Sequence, residues 1–339
     1  MHLFGTPPHV IPAHPLAIGE DGHPDWAAQR LLTRYYLAAG ATGLGVAVHT
    51  TQFEIHDDRD LLRRVYTEAA EVAESFGPEA TLVAGIVGDA RTAAEEAALA
   101  ADLGYEAALL SPRGLTDRTE RGILDRARAV AAEMPIVGFY MQESVGGMYL
   151  SPAFWEELLT IERLVGIKVA PFDRYRTKDV MEQLALSGRE DVALLTGNDD
   201  AIVPDLMTPF TVDGREVRFR GGLLGQWAVG TRAAVELTGR LWKGHDAPVP
   251  QELLDTGMAM VDVNQAVFDP QNRFAGSIAG VNEMLRQQGL LPSSRCLSDT
   301  EVLSPGQADR IRLVRERHPE LLDEDFIAEN IDSWREDIA

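Results

Sequence analysis

The chain has 339 residues, 45% of them hydrophobic and 25% charged, and carries a formal net charge of −22. That length holds one large domain or two ordinary ones, with a sizeable core. So acidic a surface repels nucleic acid and anionic membranes, which excludes a polyanion partner, and no stretch approaches the roughly 18 uninterrupted apolar residues of a membrane span. The one cysteine, Cys296, rules out an internal disulfide. The start, Met1-His2-Leu3-Phe4-Gly5-Thr6-Pro7-Pro8, lacks the basic and apolar regions of a signal peptide. The expected location is therefore the reducing cytoplasm.

Apolar runs alternate with amphipathic segments almost throughout. Strands are predicted at 10–13, 43–48, 81–86, 107–110, 135–140, 164–170, 192–196 and 217–222. Helices are predicted between them at 26–39, 58–75, 92–103, 119–133, 152–160, 177–187 and, after the last strand, 226–241. Gly40 and Gly104 stop two of the helices, aspartates open the one at 58, and Ser151-Pro152 supplies an N-cap followed by proline. Strand–helix repetition implies a parallel sheet covered by helices, and eight such units favour a closed (β/α)8 TIM barrel over a doubly wound sheet. Further helices are predicted at 251–268, 274–288, 305–317 and 325–334. The expected organisation is a barrel over 1–243 and a C-terminal helical extension over 244–339.

The most informative residue is Lys168, inside the apolar run Leu164-Val165-Gly166-Ile167-Lys168-Val169-Ala170. Such a run reads as a buried parallel strand. Burial disfavours the ammonium form, and a neutral lysine attacks carbonyls to form Schiff bases. The plainer reading is a strand-end lysine snorkelling to solvent.

Other segments, in order, set the choice. Val48-His49-Thr50-Thr51-Gln52-Phe53 follows the second strand. Phe139-Tyr140-Met141-Gln142 ends the fifth, and Tyr140 precedes Lys168 by 28 positions. Val165-Gly166-Ile167-Lys168 forms the sixth. Leu195-Thr196-Gly197-Asn198-Asp199 ends the seventh. Gly221-Gly222-Leu223-Leu224-Gly225-Gln226 ends the eighth, and Asn282-Glu283-Met284-Leu285-Arg286-Gln287-Gln288-Gly289-Leu290 lies in the tail. Together, from Pro8 to Leu297, they resemble the dihydrodipicolinate synthase and N-acetylneuraminate lyase family. The resemblance implies a barrel with a Schiff-base lysine on the sixth strand, here Lys168. It implies Tyr140 as the phenol that moves protons, and Thr50 and Thr51 as the pair that holds the substrate carboxylate. Gly222 would let backbone approach the ligand. A homo-oligomer, dimer or tetramer, is implied as well.

The departures bear on substrate. His49 stands in the first loop for a glycine, Gln52-Phe53 for Gly-Glu, and Val145 falls where the synthases carry a carboxylate-binding arginine. The loop Ser111-Pro112-Arg113-Gly114-Leu115 lacks the synthases' second tyrosine. These changes speak against a true dihydrodipicolinate synthase. His49 and Glu143 are candidate acid–base groups for another substrate, and Arg113 a candidate cation. His49, Glu54, His56, Asp57 and Asp58 lack the spacing of a metal site, so neither a metal nor an organic cofactor is expected; the covalent imine on Lys168 suffices.

The expected activity is a Schiff-base lyase or aldolase acting on a small 2-oxo acid, pyruvate-like or a sugar acid. Three alternatives stay open: a dehydratase using the same imine, a barrel that binds a small acid without turnover, and an unrelated barrel enzyme taking phosphate at Gly221-Gly222.

Overall fold

The computed structural model describes residues 3–77, 80–244 and 247–337. Its strands in chain order are β1 (His9–Pro12), β2 (Gly43–Val46), β3 (Thr81–Ile86), β4 (Ala107–Leu110), β5 (Ile136–Met141), β6 (Leu164–Ala170), β7 (Ala193–Thr196), β8 (Phe210–Val212), β9 (Arg215–Val217) and β10 (Phe219–Leu224). All but β8 and β9 form one parallel eight-stranded sheet in the order β1-β10-β7-β6-β5-β4-β3-β2. A parallel bridge between Ala13 and Gly45, with the His14 N–H donating to Gly45 O at 2.8 Å, joins β1 to β2 and rounds the sheet into a barrel.

Helices α1 (Trp26–Ala38), α2 (Arg59–Phe76), α3 (Ala90–Asp102), α4 (Glu120–Glu133), α5 (Pro152–Leu158), α6 (Arg174–Ser187), α7 (Ile202–Met207) and α8 (Thr231–Lys243) cover it. The first six start where the sequence supplies a side-chain acceptor: Asp25, Asp58, Asp89, Thr119, Ser151 and Asp173 each take backbone N–H groups of the first turn. Strand alternation splits the core into two layers. Ile11, Val83, Leu109, Val137, Leu195 and Leu223 fill the barrel, with Phe4 among them. The opposite faces of the strands pack on the helices.

Four more helices follow: α9 (Gln251–Phe268), α10 (Ser277–Gln287), α11 (Gln307–Arg317) and α12 (Glu324–Asp337). They are tied to the barrel by buried polar bonds. Asn264 Nδ2 donates to Asp199 O at 2.6 Å, and Gln288 Nε2 to Val229 O at 2.9 Å. The Asp323 carboxylate accepts from Tyr35 Oη at 2.6 Å and from the N–H groups of Arg232 and Ala233 at 2.6 and 2.8 Å, so it caps α8 from a distant segment.

Each predicted barrel strand and each predicted helix is present, with ends moved by a few residues. Two features stand outside the expectations. One is α7, six residues long with Pro204 inside and no side-chain cap. The other is the exposed hairpin β8–β9, turning at Asp213 and Gly214 with φ of 49° and 75°. An Asp-Gly pair is the usual signal for such a turn. The segment predicted as one helix from 226 is a 3-10 turn, Gln226–Ala228, and then α8. Gly230 separates them, and a Cβ there would lie 2.1 Å from Leu321 O.

Candidate active site

At the C-terminal ends of the barrel strands, where barrel sites form, lies a small inner cavity of about 80 Å³. An outer chamber of about 600 Å³ adjoins it, sharing His49, Met141, Val145, Phe274, Ser277 and Ile278 in its lining. Lys168 lies in the inner wall. It is 8% exposed, and its Nζ sits 4.4 Å from the centroid of the Phe139 ring. Gly197, at the end of β7, makes room for it: a Cβ there would fall 2.8 Å from Lys168 Cε. Burial pushes the lysine down to about 8, with the Asp199 carboxylate partly opposing the shift. The free amine, which is the nucleophile, is therefore reached more easily than in an ordinary lysine.

Tyr140 is where sequence and structure part. Ile136 pairs with Leu164, but the next pair is Val137 with Gly166, so Val165 is an extra residue on β6. Beyond this bulge, Phe139 pairs with Lys168 and Tyr140 with Val169. Phe139 faces the cavity, and Tyr140 faces the helices. Its hydroxyl accepts from Leu150 N at 3.3 Å and donates to Leu150 O at 3.5 Å, and its ring lies 5.2 Å from that of Trp155. Tyr140, expected beside the lysine, thus lies on the helix side of β5 and outside the cavity lining.

The threonine pair divides. Thr50 lines the cavity, and its buried Oγ1 has no hydrogen-bond partner among the described residues. Thr51 Oγ1 donates to His14 O at 2.6 Å and accepts from Val48 N at 3.1 Å, which fixes the turn. His49 lines both chambers, and burial, helped by the nearby Lys168 charge, pushes it down to about 4, so its imidazole is neutral. Glu143 is exposed and pairs with Arg176 at 2.9 Å, away from the cavity lining. Gly222 also lies off the lining: a Cβ there would meet Thr196 O at 2.7 Å and Trp227. Gly225 lines the cavity in its place. Arg113 reaches the outer chamber, beside Arg118 and Arg273. His56 turns from the proposed cluster toward Glu96 Oε1 and Ala47 O, at 3.1 and 3.0 Å. No grouping of three or more potential metal ligands occurs among the described residues.

The structure brings in residues to which the sequence reading gave no role, Asp199 among them although its segment was part of the resemblance. Asp199 follows β7 into the cavity, its Oδ1 held by the Gln226 N–H at 3.1 Å. Burial raises its carboxyl to about 7, against the opposing pull of that N–H and of Lys168. Its position just past a barrel strand was the available signal. Phe172, Phe268 and Phe274 join Phe139 in the wall. Phe172 and Phe274 have φ of 53° and 63°, and their rings are 5.9 Å apart. Ala47 and Gln52, at 60° and 75°, flank the turn bearing His49 and Thr50. Bulky residues at positive φ are uncommon and gather at ligand sites. The arrangement supplies a neutral-capable amine, a neighbouring carboxyl, an unpartnered hydroxyl and apolar walls. That set suits capture of a small carbonyl acid.

The family model described as the dihydrodipicolinate synthetase family matches residues 8–212. No match was found among curated proteins. Among solved structures, the chain is similar to a dihydrodipicolinate synthase from Bacillus anthracis at 19% identity, with a TM-score of 0.75, covering 93% of this chain and 99% of that one. It is also similar to the N-acetylneuraminate lyase from Fusobacterium nucleatum at 17% identity and TM-score 0.72, covering 91% and 97%. A third likeness is to a prophage protein of the dihydrodipicolinic acid synthase family from E. coli K12, solved with pyruvate, at 16% identity and TM-score 0.76, again covering 91% and 97%. Identities this low establish a shared fold.

Proposed function

The chain belongs to the dihydrodipicolinate synthetase family, and on that premise we propose that it is a lyase that forms an imine between Lys168 and the ketone of a 2-oxo acid. The observation that carries the reading is the Lys168 amine itself: buried, lowered by that burial, and facing a cavity at the strand ends. Attack by the free amine on the ketone carbon, then loss of water, yields an iminium that draws electrons from the adjacent bonds. Breaking the bond between the third and fourth carbons gives aldol cleavage; loss of a hydroxyl at the same stage gives dehydration. Thr50, a lining residue whose Oγ1 has no partner among the described residues, is the candidate to receive the substrate carboxylate. The four phenylalanines in the wall favour an acid with an apolar body over a polyhydroxylated one.

The reading is tested by borohydride reduction in the presence of pyruvate and a panel of longer 2-oxo acids, followed by intact mass and peptide mapping. An adduct on Lys168, lost in Lys168→Ala, is the expected result. A protein that gains no mass with any of them is not an imine enzyme for this substrate class. Phe139 opposite Lys168 favours one second reading, a barrel that captures a small acid without turning it over. Stable trapped adducts with no product from any acid in the panel would select it.

A further inference from the structure

We propose that Asp199 is the proton-transfer residue of this site, doing from the end of β7 what a phenol facing Lys168 would do from β5. This rests on the imine reading above. The place facing the lysine across the β5–β6 pair is held by Phe139, whose ring can accept no proton, and none of the described residues lining the inner cavity is a tyrosine. Three lining side chains titrate: Lys168, His49 and Asp199. Lys168 is consumed as the nucleophile. His49 is neutral, because burial and the lysine charge both oppose its protonation, so it has no imidazolium proton to give the ketone oxygen and is a weak base. Asp199 remains, and it is positioned: its Oδ1 takes the Gln226 N–H at 3.1 Å while its own carbonyl takes Asn264 Nδ2 at 2.6 Å. The carboxyl is thus held from the turn after β10, and the backbone that carries it from α9. Burial raises the proton affinity of this carboxyl and lowers that of the Lys168 amine, which brings the two closer together.

The Lys168 amine forms the C–N bond to the ketone carbon while the Asp199 carboxylic acid protonates the oxygen. The carbinolamine nitrogen returns a proton to the carboxylate, and the hydroxyl, protonated by the acid, leaves as water. In the iminium, the Asp199 carboxylate removes a proton from the adjacent carbon, and the C–H electrons enter the enamine. Reversal returns a proton to that carbon, and water releases the acid. With pyruvate alone, this cycle exchanges methyl hydrogen with solvent and needs no second substrate.

The experiment follows pyruvate in D2O by proton NMR, alongside borohydride trapping. Wild-type protein should show both a Lys168 adduct and methyl exchange. Asp199→Asn should still be trapped at saturating pyruvate, with exchange slowed about 100-fold or more. Adding Phe139→Tyr to Asp199→Asn should restore part of that loss by returning a phenol to the lysine. Exchange in Asp199→Asn within about threefold of wild type overturns the assignment while leaving the imine intact. No Lys168 adduct in wild type overturns the imine reading, and this one with it. If Asp199→Asn does not fold, Asp199→Ser takes its place under the same two readouts: a Lys168 adduct with exchange within about threefold of wild type overturns the proposal.

Discussion

Lys168 Nζ lies 4.4 Å from the centroid of the Phe139 ring, its register partner on the neighbouring strand. The ring face is electron-rich and attracts an ammonium, by about 0.5–2 kcal/mol depending on desolvation. That attraction and the Asp199 charge offset part of what burial costs the charged lysine. The amine is consequently poised between its two forms instead of being driven wholly neutral. The same ring denies the site a proton carrier at that position and throws the acid–base work onto another strand.

The buried lysine is a stability cost with a defined pH window. Its folded value, about 8, lies below the ordinary 10.5. Between those values the unfolded chain binds more protons than the folded one, so stability from this group rises with pH across that window. Below it both states hold the proton and the folded form carries the full penalty. Lys168→Met should therefore raise Tm by a few degrees at pH 7, with the gain shrinking above pH 8 as the wild-type lysine discharges. Paired melting curves from pH 6 to 10 check this; a gain that grows with pH contradicts the sign.

Gly197→Ala should disable the lysine without unfolding the barrel. The new methyl group would stand 2.8 Å from both Lys168 Cε and Ala170 Cβ. Lys168 is the more flexible neighbour and will be displaced from the cavity axis. The expected cost is about 1–3 kcal/mol of stability. The expected loss is at least ~10-fold in the rate of borohydride-trapped adduct formation, since a misplaced nucleophile loses its attack geometry. Wild-type trapping rates in this variant would mean that the glycine serves packing alone.

The barrel was legible because its causes are local. Four- to seven-residue apolar runs alternate with segments that begin at Asp25, Asp58, Asp89, Thr119, Ser151 and Asp173, and both patterns are written in the chain. Lys168 was legible because one charge interrupts a run that is otherwise wholly apolar. The facing residue was not. Counting 28 positions back from the lysine lands on Tyr140, but the extra residue at Val165 moves the pairing by one, and one step along a strand exchanges the barrel interior for the helix layer. No local pattern announces that bulge. Phe268 and Phe274 were out of reach for a different reason: they arrive from the C-terminal segment, and only packing brings them to the strand ends.

Tyr140→Phe separates the two faces of β5 experimentally. The hydroxyl makes long bonds, 3.3 and 3.5 Å, to the backbone of Leu150, and the ring packs on Trp155. Losing it should lower stability by about 1 kcal/mol or less, while the trapping rate at Lys168 stays near that of wild type. A large fall in trapping with unchanged Tm would return Tyr140 to the chemistry.

The adjacent threonines should fail in opposite ways. Thr50 lines the cavity, and its Oγ1 is buried without a partner among the described residues. Thr50→Val removes a polar group whose burial nothing in the protein compensates, so stability should hold or rise slightly. If the hydroxyl receives the substrate carboxylate, the acid concentration needed for half-maximal trapping should rise about 10-fold, the loss expected for one hydrogen bond to a charged group. Thr51→Val breaks bonds of 2.6 and 3.1 Å to His14 O and Val48 N and leaves those buried backbone groups unmatched. It should cost about 1–3 kcal/mol of stability. Its effect on trapping should follow only from loosening of the turn that carries His49 and Thr50. Melting curves and trapping titrations on the two variants form a crossed pair. If both lose stability and neither loses affinity, the hydroxyl of Thr50 is structural, and the carboxylate must be held elsewhere in the cavity.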